Sequence, residues 1–570
     1  MTISGTTAGG LIASLLSGGS LTFGSATISG SASEGINWNN SAAALTINGG
    51  SLQNNGGGAE FFVLGNTANI SYAGTITDPS GLPVYIENTT GGAKTFSGSI
   101  TGNSISLLNN GGATINFTGG VALSSGSNTA FNATGGGTIN VTGSNNTLTS
   151  TTGRALNVVN TTIGASGLTF QSISAGTGAG SSGVGITLDG TGLGASNGGL
   201  TVTGTGTPGS GGTIQRKTGA DNSTTAGIGI FLKDTKNPSF SWMQLNDFDN
   251  SAIAGRNVQG FTLQNSVISG VIGTSSAPVE GPINFGITNP GGTNGLQGTG
   301  LIRNVKISGG IEHNLEFYNQ SGSMNLTIDG TNVVSEGANP NIPGDDTADC
   351  IIEENSLANG SDGVLIEMQN TATATIVIDR CLFRDNKSQP VQVNALNDSV
   401  VTLTIDESVA RRFDLGNEGF VLSNATNADM TALVSNNRVN NFGGTATFVG
   451  QTPGNASASS LLNATISNSI ITSRRAPTIT ASSLLADQHC RPAIAGRLRI
   501  DGNNVTNNLN FRNDAGHSGR YAGYQPSLFF DATVTNNTVS VGDNVTGVLL
   551  AWLLKHGSRP TPAPTSAATP

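Results

Sequence analysis

The sequence predicts an all-β solenoid, a long stack of short strands, and three observations carry that prediction. The first is a recurring rung of the form apolar-x-apolar-Asp/Ser/Thr. It appears as Ile376–Asp379, Leu403–Asp406, Ala432–Ser435, Ala464–Ser467, Leu498–Asp501 and Ala532–Thr535. The third position of each rung recurs after 27, 29, 32, 34 and 34 residues, and five residues beyond it stand Phe383, Ala410, Val439, Ile471, Val505 and Val539. A period between 20 and 50 residues is the signature of stacked repeats that bury their apolar faces only against one another. The second observation is composition: 83 glycines in 570 residues, 10% charged and 36% apolar. Low charge with that much apolar content argues against disorder, which needs low hydrophobicity together with high charge. The third is that no segment carries an amphipathic 3.6-residue pattern.

Residues 1–220 form a Gly/Thr/Asn-rich segment of low charge. Its clearest repeat is Gly111–Gly119 against Gly135–Gly143, 24 residues apart, with a looser copy at Gly91–Gly98, 20 residues before Gly111. Val84–Ile86, Ile105–Leu107 and Leu156–Val158 read as second strands between copies. Alternation places Ile, Val and Phe inside and Thr, Asn and Ser outside. Gly and Asn at the corners supply positive φ, and in-register Thr and Asn would stack from coil to coil.

Residues 221–472 read as longer coils with more charge. Ile228–Leu232, Phe261–Leu263, Ile302–Val305 and Leu326–Asp329 are strands leading into the rungs above. Val364–Ile366, Val391–Val393, Phe420–Leu422 and Thr447–Val449 supply a second strand per coil. The 50-residue step from Ile328 to Ile378 fits either one coil with a long loop or two coils. Residues 473–556 read as irregular C-terminal coils or a cap, and 557–570 as a disordered Pro/Ala/Thr tail. About 550 patterned residues at ~27 per coil give roughly 20 coils and a rod on the order of 100 Å.

These rungs resemble the right-handed, single-stranded parallel β-helix of the pectate-lyase-like superfold. The Gly111–Gly119 type of repeat resembles the passenger regions of autotransporter adhesins and related repeat-rich bacterial surface proteins. The resemblance spans nearly the whole chain, as a pattern specific for fold and unspecific for activity.

The candidate chemistry is sparse. A net charge of −10 disfavours nucleic acid as partner. Only Lys94 and Arg154, of 24 Lys and Arg, precede residue 200. The longest apolar run, Val548–Leu554, is short of the ~20 residues a membrane helix needs. No signal peptide is visible and the chain begins in mid-pattern, so it reads as a fragment.

Asp345, Asp346, Asp349, Glu353 and Glu354 form an acidic patch. In pectate lyases clustered carboxylates hold Ca²⁺ beside a basic Arg, for which Arg380 and Arg384 are candidates. A stacked site requires carboxylates on successive coils, whereas these lie in one loop, so a solvated loop is expected. Gly344-Asp345-Asp346 also resembles the paired aspartates of polygalacturonases. The accompanying Gly-His-Gly and Arg-x-Lys are missing, because His517 lies in Gly516-His517-Ser518 and Arg303-Asn304-Val305-Lys306 is one residue too long.

His313, His489, His517 and His556 lack ligand spacing. Tyr521, Tyr524, Trp242, Phe317 and Tyr318 read as coil caps rather than sugar platforms. Cys350 and Cys381 open the same local motif on successive repeats and are expected to be two small buried thiols rather than a bridge. No catalytic, cofactor-binding or metal residue and no cofactor is assigned. The expected function is a non-catalytic, secreted or cell-surface, adhesin-like stalk that meets polysaccharide or a host matrix. A polysaccharide lyase or hydrolase is the second reading, and a phage tail-fibre or tailspike module the third.

Overall fold

The computed structural model describes residues 1–275, 280–286, 294–334, 347–355, 362–411, 419–442, 445–451, 461–473, 478–482, 495–501, 504–506, 529–535 and 538–540. Among them there is no α-helix, and no helix long and apolar enough to cross a membrane. The strands pair in parallel and build a 20-stranded and a 34-stranded sheet. The first ladder is the smaller sheet, running from Thr2–Ser4 to Thr538–Ser540. The larger sheet contains two lines of strands, a second ladder starting at Leu11–Ser14 and a third at Ser20–Phe23. The 14-residue strand Ser251–Gln264 joins them, because its first half pairs along the second ladder and its second half along the third.

The register follows the sequence period residue by residue. Ile378, Ile405, Val434, Ile466, Ile500 and Val534 lie in one line on the third ladder. Phe383, Ala410, Val439, Ile471, Val505 and Val539 lie in one line on the first. Ile328 lies directly against Ile378, so the long step between them is a single coil. The ladders pass residues 220 and 472 without interruption.

The core is one continuous apolar column from Ala13 to Ile466. Its spine in the low-charge segment is a chain of rings, Phe61, Phe96, Phe117, Phe131 and Phe170, with successive centroids 5.2, 5.3, 5.7 and 6.3 Å apart. Two predicted placements need correction. The copy at Gly91–Gly98 is shifted by one position from its glycine alignment, since Ala93 opposes Thr114 rather than Ala113 and Phe96 stacks on Phe117. Lys94 therefore points inward in the column of Ile70 and Ile115. There it is fully buried, donates to the carbonyls of Ala68 and Gly91, and burial pushes its pKa down to about 8. Ile302–Val305 is not one strand either. The strand ends at Arg303, and Asn304 turns the corner with φ of 53°.

That corner repeats along the ladders. Between the third and first ladders, Trp242, Asn265, Asn304, Arg380, Glu407, Asn436 and Asn468 all adopt φ between 43° and 61°. A single left-handed residue is the sharpest way to redirect a strand. Asn accepts it most readily apart from Gly, since its short amide bonds locally. The amide N–H of the corners from Trp242 to Asn436 donates to the coil above, as from Asn265 to Arg303 (3.0 Å) and from Arg380 to Asp406 (3.1 Å), so neighbouring coils hold the non-Asn members in place.

Candidate functional site

The acidic patch does not assemble into a site. Asp345 and Asp346 lie outside the described residues. Asp349 accepts the N–H of Thr331 (3.2 Å) and the side-chain amide of Asn332 (3.1 Å), which ties down a loop. Glu354 turns a corner with φ of 53°, as does Arg380, which pairs with its neighbour Asp379 at 2.6 Å.

Glu353 sits on the first ladder opposite Arg384, 1% exposed, and pairs with Arg384 and with Lys306 at 2.7 Å. Burial raises its pKa, but the hydrogen bonds from Arg384 and Lys306 outweigh that and hold the carboxyl below 4.5. This is a buried structural ion pair. Glu353→Gln is expected to destabilise by about 3–5 kcal/mol, because it removes the buried carboxylate charge that Arg384 and Lys306 share. The native-state pKa is depressed, so the contribution is present above pH 4.5 and lost as pH falls through the folded value. Denaturant melts of both proteins across that range check it, and a difference below about 0.5 kcal/mol contradicts burial of the pair.

The expectation of two free thiols is overturned. Cys350 and Cys381 are register partners on adjacent coils, 4.7 Å apart at Cα, and are disulfide-bonded. The shared motif placed both side chains inward on neighbouring rungs, which is the geometry a bridge needs. Phe317 and Tyr318 are not caps: Phe317 stacks on Phe285 in the core at 5.6 Å, and Tyr318 is 1% exposed. Trp242 is a corner residue. Tyr521, Tyr524, His489, His517 and His556 lie outside the described residues.

The titratable cluster of the molecule lies elsewhere, on the outer face of the second ladder. Ala254, Asn284, Glu316 and Leu365 are successive members of one outward row, and Arg256 stands two residues beyond Ala254. The loops entering these strands bring Glu280, Glu312 and His313 alongside. Glu316 is buried, accepts from the Asn284 amide, and its pKa is pushed up to about 8 by burial and by Glu312, against the pull of Arg256. Burial and the charge of Glu280 push Glu312 up to about 7. Glu280 is raised by burial and shares a hydrogen bond with Asp221, while its oxygens accept the N–H groups of Ser275 (2.7 Å) and Thr274. Burial lowers His313 to about 4, and its Nδ1 accepts the Asp362 N–H at 3.0 Å.

Burial thus favours the neutral carboxyl at Glu312 and Glu316, which lie in the same cluster as Arg256. Sequence reasoning missed it. The available signal was Glu312-His313-Asn314-Leu315-Glu316, three titratable residues in five within a chain that is 10% charged. Among the described residues no group of three or more His, Cys, Asp or Glu is arranged to hold a metal ion.

The third ladder presents the opposite chemistry. Its strands from Ser20–Phe23 to Ser239–Ser241 contain one charged residue, the inward Lys94. Outward, Thr22, Thr46, Ser71, Thr95, Asn116 and Asn140 align coil upon coil. The Asn140 amide donates to Asn116 Oδ1 at 2.9 Å. On the second ladder Asn157 donates likewise to Asn132 at 2.7 Å. No protein-family profile, no curated protein and no solved structure matches this chain.

Proposed function

We propose that this chain is a non-catalytic, right-handed β-solenoid rod of roughly 20 coils, displayed outside the cell, whose third face adheres to glycan or matrix. The observation that carries the reading is the uncharged, in-register line of hydroxyl and amide side chains from Thr22 to Asn140. Such a surface offers donors and acceptors at the ~4.8 Å strand spacing without desolvating charge, and repetition turns weak contacts into avidity. The Cys350–Cys381 bridge supports an oxidising compartment, where disulfides persist.

The test is retention of the full chain on immobilised neutral and acidic polysaccharides. Thr95→Lys with Asn116→Lys places two charges in mid-face and is expected to reduce retention at least about tenfold, the scale of losing one hydrogen-bonded contact. Retention unchanged by those charges removes the adhesive face. A second reading, polysaccharide cleavage, is favoured by the raised Glu316. Release of reducing or unsaturated ends that stops in Glu316→Gln would replace the first.

A further inference from the structure

We propose that the outer face of the second ladder takes one arginine side chain of a basic protein partner, its guanidinium stacked on the free face of Tyr85 and paired with Glu87. The outward row here runs Asn37, Phe62, Tyr85, Ser106 and Asn132 on successive coils. Phe62 and Tyr85 stack with ring planes 3° apart and centroids at 5.3 Å, so Phe62 covers one face of Tyr85 and the other looks along the row towards Ser106. Ser106 is the short member of that row. Between Tyr85 and Asn132 it leaves a notch two strand spacings high, about 9.6 Å. That is room for one planar group in van der Waals contact at ~3.5–4 Å on each side. Tyr85, Glu87, Ser106 and Asn132 are all partly exposed, so the notch opens to solvent. Its ring wall is set in advance, because Phe62 fixes the plane and the Tyr85 hydroxyl donates to Glu87 Oε2 at 2.8 Å.

The surroundings select a cation. Every Asp and Glu that precedes Asp189, namely Glu34, Glu60, Asp78 and Glu87, lies on the coils around this ring pair. Glu60 is buried and accepts the Asn55 N–H at 2.9 Å, Asp78 is buried and accepts that of Gly81 at 2.7 Å, and Glu34 accepts the Asn37 amide at 3.3 Å. Glu87 is the carboxylate beside the notch, in register with Leu108 two residues beyond Ser106. No ion pair among the described residues includes it. Lys94, the cation nearest in sequence, is turned into the column and donates to backbone carbonyls. Asn132 Oδ1 accepts from Asn157 at 2.7 Å and keeps a second lone pair. The walls therefore offer a π face, a carboxylate and a carbonyl oxygen, all of them acceptors. A guanidinium matches this set, since it is planar, carries five donors and stacks on aromatic faces. An ammonium has no plane to fill the notch, and a neutral group leaves Glu87 without a counter-charge. The site lies on the second ladder and does not depend on the adhesive reading of the third.

The experiment uses the full chain and three capped tripeptides with a central arginine, citrulline or lysine between glycines, at low salt where surface charge is least screened. It reads saturation transfer to the central side chain and the affinity by titration. The arginine peptide is expected to bind about three- to tenfold tighter than the other two, the scale of one cation–π contact with an exposed ion pair. Ser106→Phe fills the notch while leaving Tyr85 and Glu87 in place, and it should abolish the transfer. Tyr85→Leu should weaken the arginine peptide about three- to tenfold, and Glu87→Gln about two- to fivefold. Citrulline bound as tightly as arginine would mean a neutral ligand, and lysine bound as tightly would mean charge alone; either overturns the proposal. So does transfer that is absent from the natural chain or undiminished in Ser106→Phe. If Ser106→Phe fails to fold, Tyr85→Leu decides, and binding unchanged in that variant removes the site.

Discussion

Phe117→Ala is expected to destabilise the low-charge half by about 3–5 kcal/mol, the cost of deleting a buried aromatic side chain whose cavity cannot collapse. Phe117 is 1% exposed and touches rings on both sides, Phe96 stacked at 5.3 Å and Phe131 edge-on at 5.7 Å. Its neighbours cannot move in to fill the gap. Their strands are fixed in register by parallel pairing to the coils above and below, through Phe96–Phe117 and Phe117–Val141. Each coil contacts only its neighbours, so the damage should be local, with fast amide hydrogen exchange over residues 93–141 before the rest. Thr95→Ala, on the outward face of the adjoining strand, is the control and should stay within about 0.5 kcal/mol. Equal melts for Phe117→Ala and the natural chain would show that the ring column is not the spine of this half.

The second large effect is expected at the bridge. Replacing Cys350 and Cys381 together by Ser should cost about 3–4 kcal/mol by the chain-entropy estimate for closing the 31-residue loop. The strands around the bridge should keep their register, because Ile352 against Phe383 and Glu353 against Arg384 hold it independently. Exchange should therefore accelerate around Cys350–Glu353 and Cys381–Arg384 while the low-charge segment is unaffected. Reduction of the natural chain should reproduce the same pattern. If the double variant melts within about 0.5 kcal/mol of the natural chain, the bridge contributes nothing there.

Much of the fold was legible because a stack of parallel strands writes its register into its period. Ile378 to Val534 and Phe383 to Val539 could be aligned from spacing alone, since one apolar residue per rung must face the column. Where the local period was perturbed, spacing misled. Aligning the Gly91–Gly98 copy by its glycines sets Ala93 against Ala113, while the packing of Phe96 on Phe117 sets it against Thr114 and turns Lys94 inward. The candidate site was hidden for a different reason. Arg256, Glu280, Glu312 and Glu316 are scattered over several coils of varying length, so no motif spacing joins them. The acidic run at 345–354 looked denser on paper, yet its described members serve a loop, an ion pair and a corner.

The sequence by itself determined the class of fold, the inward column and the register of most coils, because alternation and period are one-dimensional properties that stacking preserves. Tertiary structure alone decided that Ile328 and Ile378 are one coil apart, that Cys350 bonds Cys381, and that Glu316 comes to lie beside Arg256. Each of these depends on how far a loop departs between two fixed rungs. Loop length is weakly constrained by energy, whereas the rung it returns to is fixed by the apolar column.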